Sequence, residues 1–332
     1  MKKEEISQLG STLIRYRDGE RDFQSINFTG FDLSKISFNR TNFKSAKFID
    51  SNLQESEFLN CNFADAEMMH SNLIGALLIE SIFSGANMSR TILIGADLTG
   101  CILSHACLRE ADLTRATLID SSMVQAQLFK ANLKKANLTG ASLSTAMLSQ
   151  CNLNAANLTR AILTDTNLSR ASLKKAKMIR AYLHKANLKG ANLKQADLRL
   201  AELKNADLEG ANLEGADLEG ANLEGTNLTG ANLTGANLLN AHLSKANLEH
   251  AVLSKANLTG CNLLHANLKE ADLYKANLAK AGLLLSYLNG ANLKKANLKG
   301  ANLIGATLGE TNLMATSLEE TIMPNGTLGA MN

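Results

Sequence analysis

Every fifth residue from Phe23 to Leu328 is Leu, Phe or Met, and the register never slips. Few secondary structures survive that constraint. On an α-helix five residues turn the chain by roughly 500°, so successive large side chains would spiral over every face. On a flat strand five is odd, and successive centres would point to opposite sides. Neither arrangement buries the stripe. A chain that turns a corner every five residues does. The centre and the residue two before it then point inward, the residue between them points out, and the next two make the corner.

The other slots agree. Two residues before most centres stands a small residue, usually Ala, sometimes Ser, Thr or Cys as at Ser71, Thr166 and Cys151, although Ile26, Phe31 and Ile36 are large. The residue before the centre is commonly Asn or Asp. Of the 23 glycines, 17 stand two residues after a centre, where a corner needs positive φ. Four corners close a square coil of 20 residues whose stacked copies pair as parallel strands. Phe23, Phe43, Leu98, Leu213, Leu263 and Leu313 represent the expected inward core. The eight Phe centres all lie between Phe23 and Phe83, so the first coils carry the bulkiest filling.

The stretch Ala206-Asp207-Leu208-Glu209-Gly210 and its neighbours spell A-(D/N)-L-x-x, which resembles the pentapeptide repeat family over residues 21–328. The Arg15-Tyr16 and Gly19-Glu20-Arg21-Asp22-Phe23 entry is similar to that of cyanobacterial members. The resemblance implies an all-β fold, a right-handed quadrilateral parallel β-helix with four pentapeptides per coil. The right hand also agrees with the crossover preference of parallel strands. About 15 coils at a strand spacing of about 4.8 Å make a rod ~70–75 Å long.

Three segments are expected. Residues 1–20 form an N-terminal cap, with a helix over 3–17 whose Ile6, Leu9, Leu13, Ile14 and Tyr16 cover the first coil. Residues 21–322 form the β-helix and 323–332 a C-terminal end and tail. That end, with Pro324 and Gly326, shows no second capping helix. An uncovered parallel edge there invites pairing, so a homodimer or end-to-end stacking through the C-terminal coil is expected. A membrane-surface role for the N-terminal helix is the alternative to capping. Its apolar face is short and holds neither Trp nor Phe.

Composition narrows the function classes. The net charge of +3 from 34 basic and 31 acidic residues marks neither a strong nucleic-acid binder nor an acidic DNA mimic. The start, MKKEEISQLG, lacks the apolar run of an export signal, and no stretch reads as membrane-spanning. A cytoplasmic protein without membrane contact is the expectation. Cys61, Cys101, Cys151 and Cys261 occupy the small inward slot and read as core filler, with only Cys107 on another slot.

Residues 20 apart share a face, and this ruler exposes two departures from uniformity. One corner row carries Arg115, Lys135, Lys175, Lys255, Lys275 and Lys295, a basic edge for an acidic partner. Solvation of the corner is the plainer reading. One outward row carries Ile82, Ile102, Ile162 and Tyr182, with Ser122 and Ser142 between the pairs, an apolar contact face. Drift in a degenerate repeat is the alternative.

Chemistry is not signalled. The six histidines are scattered, no third ligand joins His105 and Cys107 or His242 and His265, and the glycines form no phosphate loop. No cofactor, metal or catalytic residue is expected. The sequence therefore reads as a non-catalytic interaction scaffold for an unidentified protein, with regulation as one use. Relatives that imitate DNA and modulate topoisomerases such as gyrase supply the first alternative, against which stand the charge, the basic edge and the absence of a loop. Weak binding of nucleic acid or an acidic partner along the basic edge is the second, nucleic acid being the less favoured.

Overall fold

The computed structural model describes residues 3–329, with side chains from Ser7 onward. Ile6 of the expected helix face and the last three residues of the tail lie outside the described side chains. The chain divides into two compact units, Met1–Asn157 and Leu158–Asn332. Both are β-helical solenoids in which parallel bridges join residues 20 apart, as Asp22 to Asn42 in the first unit and Asn192 to Asn212 in the second. Phe23, Phe43 and Leu98 are buried in the first unit, Leu213 and Leu263 in the second.

Each coil is joined to the next by three backbone bonds per repeat, two along the face and one from the corner amide, as from Gly215 to Thr234 O at 3.0 Å. In the second unit, the Leu213 amide donates to Asn232 O at 2.7 Å and the Asn232 amide to Ala211 O at 2.9 Å. The corner closes through an amide three residues after the centre, as from Ala216 to Leu213 O at 2.9 Å. Every fifth residue from Ser25 to Glu320 has positive φ, whatever its side chain. Glycine takes this conformation freely, but other L-residues lose about 1–2 kcal/mol there. Most corners are not glycine, so the stack imposes the conformation on side chains that disfavour it.

The first unit begins with helix α1, Lys3–Arg17. It ends in a pair of backbone hydrogen bonds closed by a glycine. The Glu20 amide reaches Arg15 O, the Gly19 amide reaches Tyr16 O, and Gly19 has φ of 102°. Its packed side differs from the expected one. Thr12 is buried and Leu9 and Tyr16 half-buried, whereas Leu13 and Ile14 are exposed. Hydrogen bonds and ring contacts fix this orientation. Gln8 Nε2 donates to Asn27 O at 2.8 Å, and the Asn39 amide donates to Tyr16 Oη at 2.9 Å. The Tyr16 ring meets Phe38 edge-on at 4.8 Å, with the Arg21 guanidinium 4.0 Å from its centroid. Beneath the helix Phe23, Phe43, Phe63 and Phe83 stack in one column, neighbouring centroids 6.0, 5.2 and 4.9 Å apart.

Apart from Thr41, which bonds Asn39 O at 3.0 Å, hydroxyls and thiols in the small inward slot find carbonyls in one of two ways. Ser71 and Thr226 bond the centre of their own corner, Met68 O and Leu223 O. Ser51, Cys101 and Cys151 reach the centre 23 residues earlier, Phe28 O, Leu78 O and Leu128 O. No buried polar side-chain atom among the described residues lacks a partner, so these substitutions for Ala do not leave the desolvation cost of an unmade bond.

In the second unit the inward register stops one repeat short of the expected Leu328, which is 72% exposed. After Ile322 the chain reverses. Leu328 pairs antiparallel with Ile322, the Met323 amide reaches Thr327 O, and the Gly329 amide reaches Thr321 O. Pro324 brings no amide to a further parallel rung, and Gly326 turns the chain at φ 85°. One face of the terminal edge is thus covered by its own chain. Leu308, Leu318 and the expected core residue Leu313 are half-buried, because no later coil stacks on them among the described residues.

Two outcomes follow. Thr145 is β-branched and held at φ 58°, so Thr145→Gly is expected to raise the denaturation midpoint by an amount worth about 1 kcal/mol; an unchanged or lower midpoint contradicts a strained corner. Burial pushes the Cys61 thiol up to about 11 and those of Cys101, Cys151 and Cys261 up to about 12. A raised folded-state pKa favours the protonated fold, so this stabilisation is intact below the ordinary value of 9.0 and is lost as pH climbs through 11 to 12. Thermal midpoints should fall over that window, and less steeply when the four are replaced by Ala. At pH 8 half-buried Cys107 alone should react with a thiol reagent before unfolding.

Candidate interaction faces

The outward slot explains which surfaces are closed and which are open. An Asn there does two jobs. Its Oδ1 accepts the amide two residues on, as Asn132 does from Lys134 at 3.3 Å and Asn227 from Thr229 at 3.2 Å. Its Nδ2 donates to the outward residue 20 positions earlier, as Asn152 to Asn132 Oδ1 at 2.9 Å and Asn257 to Asn237 Oδ1 at 3.0 Å. Asp can accept but not donate when ionised. Accordingly Asp22, Asp32, Asp112, Asp207, Asp217 and Asp272 each receive an Asn, respectively Asn42, Asn52, Asn132, Asn227, Asn237 and Asn292. Asp therefore stands at the first rung of an Asn ladder.

Ladders fail where the outward slot loses its amide. In the first unit this is the run holding Leu77, Ile82, Ile92, Ile102, Cys107 and Thr117. Ile82 bridges directly to Ile102, which is exposed. In the second unit Ile162 bridges to Tyr182 and both are exposed, Tyr182 by 50%. The expected apolar row is thus two directly stacked pairs, one in each unit.

The expected basic residues are all corner residues with positive φ. Arg115 and Lys135 occupy consecutive coils of the first unit. In the second, Lys255, Lys275 and Lys295 follow one another in consecutive coils, with Lys275 Nζ 5.2 Å from the Tyr274 ring. Lys175 is separated from them by Gln195, Gly215 and Gly235 in the same column. Its neighbour Lys194 is engaged by Glu214 at 2.8 Å.

Two further groupings are not evident from any single row. In the first unit Ile92, Ile74 and Ile94 approach one side of a corner, and Leu77 and Ile79 continue beyond it. The corner residues between them are Gly75 and Gly95, which add no side chain of their own, although the Glu55 side chain of the preceding coil reaches Gly75. Reading the slot after the centre with the same 20-residue ruler would have revealed it. In the second unit charge is polarised. Residues 158–200 carry ten Lys or Arg against Asp165 and Asp197, whereas 201–224 carry seven Asp or Glu against Lys204. Ion pairs tie the two bands, Lys189 to Glu209 at 2.7 Å, Lys194 to Glu214 at 2.8 Å and Arg199 to Asp217 at 3.6 Å, while Arg199 also pairs with Asp197 at 2.7 Å and Lys204 with Glu224 at 2.9 Å. The paired hydrogen bonds from Arg199 hold the Asp197 carboxyl below its usual range.

Glu202, Asn222, Glu224, His242 and Ser244 line a shallow depression in the second unit. Among the described residues no three His, Cys, Asp or Glu side chains gather as metal ligands would. Nor is any described helix long and apolar enough to cross a membrane.

The family model described as pentapeptide repeats matches this chain in overlapping stretches that together span residues 22–249, 251–281 and 286–320. Among solved structures, HetL, a pentapeptide repeat protein involved in heterocyst differentiation regulation from Nostoc sp. strain PCC 7120, is 27% identical over 96% of this chain and 98% of its own, with a TM-score of 0.24. Rfr23 from Cyanothece 51142 is 34% identical over 37% of this chain and 90% of its own, TM-score 0.18. QnrB1, a plasmid-mediated fluoroquinolone resistance protein, is 21% identical over 73% and 91%, TM-score 0.19. Comparison with curated proteins gives no match.

The ladder rule has a direct test. Asn132→Asp removes the donor that serves Asp112 Oδ1 and Thr114 Oγ1 and stacks carboxylates at two successive rungs. A loss of about 1–2 kcal/mol at pH 7 is expected, shrinking as pH falls below about 4 and the carboxyls protonate. A variant as stable as the parent at pH 7 contradicts the ladder.

Proposed function

The chain belongs to the pentapeptide repeat family, and from that premise we propose that it is a non-catalytic scaffold that presents flat β faces to a protein partner in the cytoplasm. The finer architecture taken with this reading is a right-handed coil of four repeats and about 15 coils, a cap over 1–20, the β-helix over 21–322 and a closing segment over 323–332. The observation that carries the reading is the ladder failure in the first unit. Leu77, Ile92 and Ile102 stand exposed at outward positions that elsewhere hold a self-satisfied Asn or Asp. Exposed aliphatic groups on a regular sheet cost solubility unless something covers them. Ile92 and Leu77 flank the Gly75–Gly95 corner on adjacent faces, and Ile102 lies on the next face beyond Leu77, so the exposed aliphatic groups wrap around consecutive faces of the coil.

A second reading concerns Lys255, Lys275 and Lys295 with Tyr274. These three lysines form no ion pair among the described residues, and their spacing of one coil suits a line of acidic groups. Binding there would weaken steeply with salt. DNA mimicry is set aside because many of the acidic side chains are offset by Lys or Arg on the preceding coil, as Glu209, Glu214 and Glu224 are.

The test uses substitutions that complete the ladder. Leu77→Asn, Ile92→Asn and Ile102→Asn together should leave the circular dichroism and melting of the full chain intact. Affinity capture from the native cell with parent and triple variant, read by mass spectrometry, should lose at least one partner with the variant. Identical partner sets for the two proteins contradict the assignment of this aliphatic surface.

A further inference from the structure

The charge polarisation of the second unit converges on one corner. Three consecutive coils cross it. The first presents Lys177, Ile179, Arg180 and Tyr182, the next Asp197, Arg199, Leu200 and Glu202, the third Asp217, Glu219, Gly220 and Asn222. Leu200 is unusual twice over. It is a large aliphatic residue held at φ 58°, and it is 47% exposed. Its Cδ2 would come within 2.9 Å of a Cβ placed on Gly220, so the side chain lies over that bare corner. Ile179, Arg199, Leu200 and Glu219 frame a shallow hollow of about 300 Å³ at the same place. Lys177, Arg180 and Glu219 are exposed and form no ion pair among the described residues.

We propose that this corner is a self-association surface, its occupant a second copy of the chain lying antiparallel about a two-fold axis through Leu200. The arrangement follows from heights along the coil stack. Lys177 and Arg180 lie one coil before Leu200, and Asp217 and Glu219 one coil after it, each step about 4.8 Å. An antiparallel two-fold inverts height and keeps the columns in register. It therefore sets Leu200 against its own counterpart, Lys177 opposite Asp217 of the second copy, and Arg180 opposite the Glu219–Gly220 step, where glycine leaves room for the guanidinium. Every favourable contact occurs twice, as an isologous interface requires. Tyr182 and Ile179 extend the apolar centre on both sides.

Charge complementarity favours a second copy over nucleic acid. A phosphate backbone is anionic along its whole length, and the acidic band of residues 201–224 begins immediately beyond the cations. A duplex, whose major groove alone is about 12 Å wide, would overlap both bands. The partner that fits is one whose charge changes sign over the same short height, and this chain is such a partner.

Sedimentation velocity of the full chain tests the proposal. The parent should associate at 50 mM salt and dissociate at 500 mM, as contacts screened within a few ångströms do. Arg180→Glu and Glu219→Lys should each weaken association at least about tenfold, since each sets like charges opposite one another twice. Mixed in equal amounts, the two variants should form heterodimers. The new carboxylate of one then faces the new ammonium of the other, and the unchanged Arg180 and Glu219 meet at the symmetry-related contact. Leu200→Asp should abolish association in every combination. A parent that stays monomeric at low salt overturns the proposal. So does association that survives in both single variants, which would locate the contact elsewhere, such as the open end at Leu308, Leu313 and Leu318. Heterodimers that fail to form, or a low-salt shift of a DNA duplex by the parent without self-association, also overturn it.

Discussion

Everything in this protein depends on a corner made every five residues, with one position in the left-handed region. The corner turns the chain soon enough for a centre and the small residue before it to share one interior. It also sets successive coils in register, so that their amides and carbonyls pair at 2.6–3.2 Å along each face. An isolated corner of this kind is unfavourable for any residue except glycine. It persists because the inward side chains of neighbouring coils are almost wholly buried, each large centre contributing roughly 1.5–3 kcal/mol relative to exposure. Local strain and collective burial are therefore one mechanism, repeated, and stability belongs to the stack more than to any repeat.

The core was legible in the sequence because it is the part with one solution. A centre at every fifth position and a small residue two before it leave no other way to bury the stripe, and the glycine slot named the left-handed position directly. The Asn and Asp slot was legible only as an outward residue. Its role needs a second dimension, since Asn42 acts on Asp22 twenty positions away. The helix face was misjudged because helical spacing ranks Leu13 and Ile14 as apolar but cannot see that Tyr16 and Gln8 have hydrogen-bond partners on the first coil. At the other end five-residue spacing carried Leu328 into the register, although Pro324 and Gly326 turn the chain back before it arrives.

The candidate faces follow the same logic. Where the ladder runs, outward amides and corner N–H groups are satisfied within the protein, and the face has little to offer a partner. Where it fails, the side chain no longer serves its own backbone and is available for something else. The aliphatic run of the first unit and the Tyr182–Leu200 corner of the second are both such places, one led by aliphatic side chains and one sharply polarised. Two surfaces of opposite character on one repeating scaffold fit separate roles, one for a foreign protein and one for a second copy.

Amide hydrogen exchange measured residue by residue tests this division most directly. Among the described residues the amide after a centre is bonded to a side chain where Asn or Asp precedes that centre, as for Ile74 and Lys134, or, in the first coils, where Tyr16 Oη takes the Asn39 amide and Asn39 Oδ1 the Leu59 amide. Ile79, Ser84, Ile94 and Ser104 follow Leu77, Ile82, Ile92 and Ile102 and have no such bond among the described residues. The account expects the first group to exchange many-fold more slowly than the second, with the centre amides beside both equally protected. Equal rates in the two groups would mean that the outward ladder does not secure the corners, and that its gaps distinguish no face.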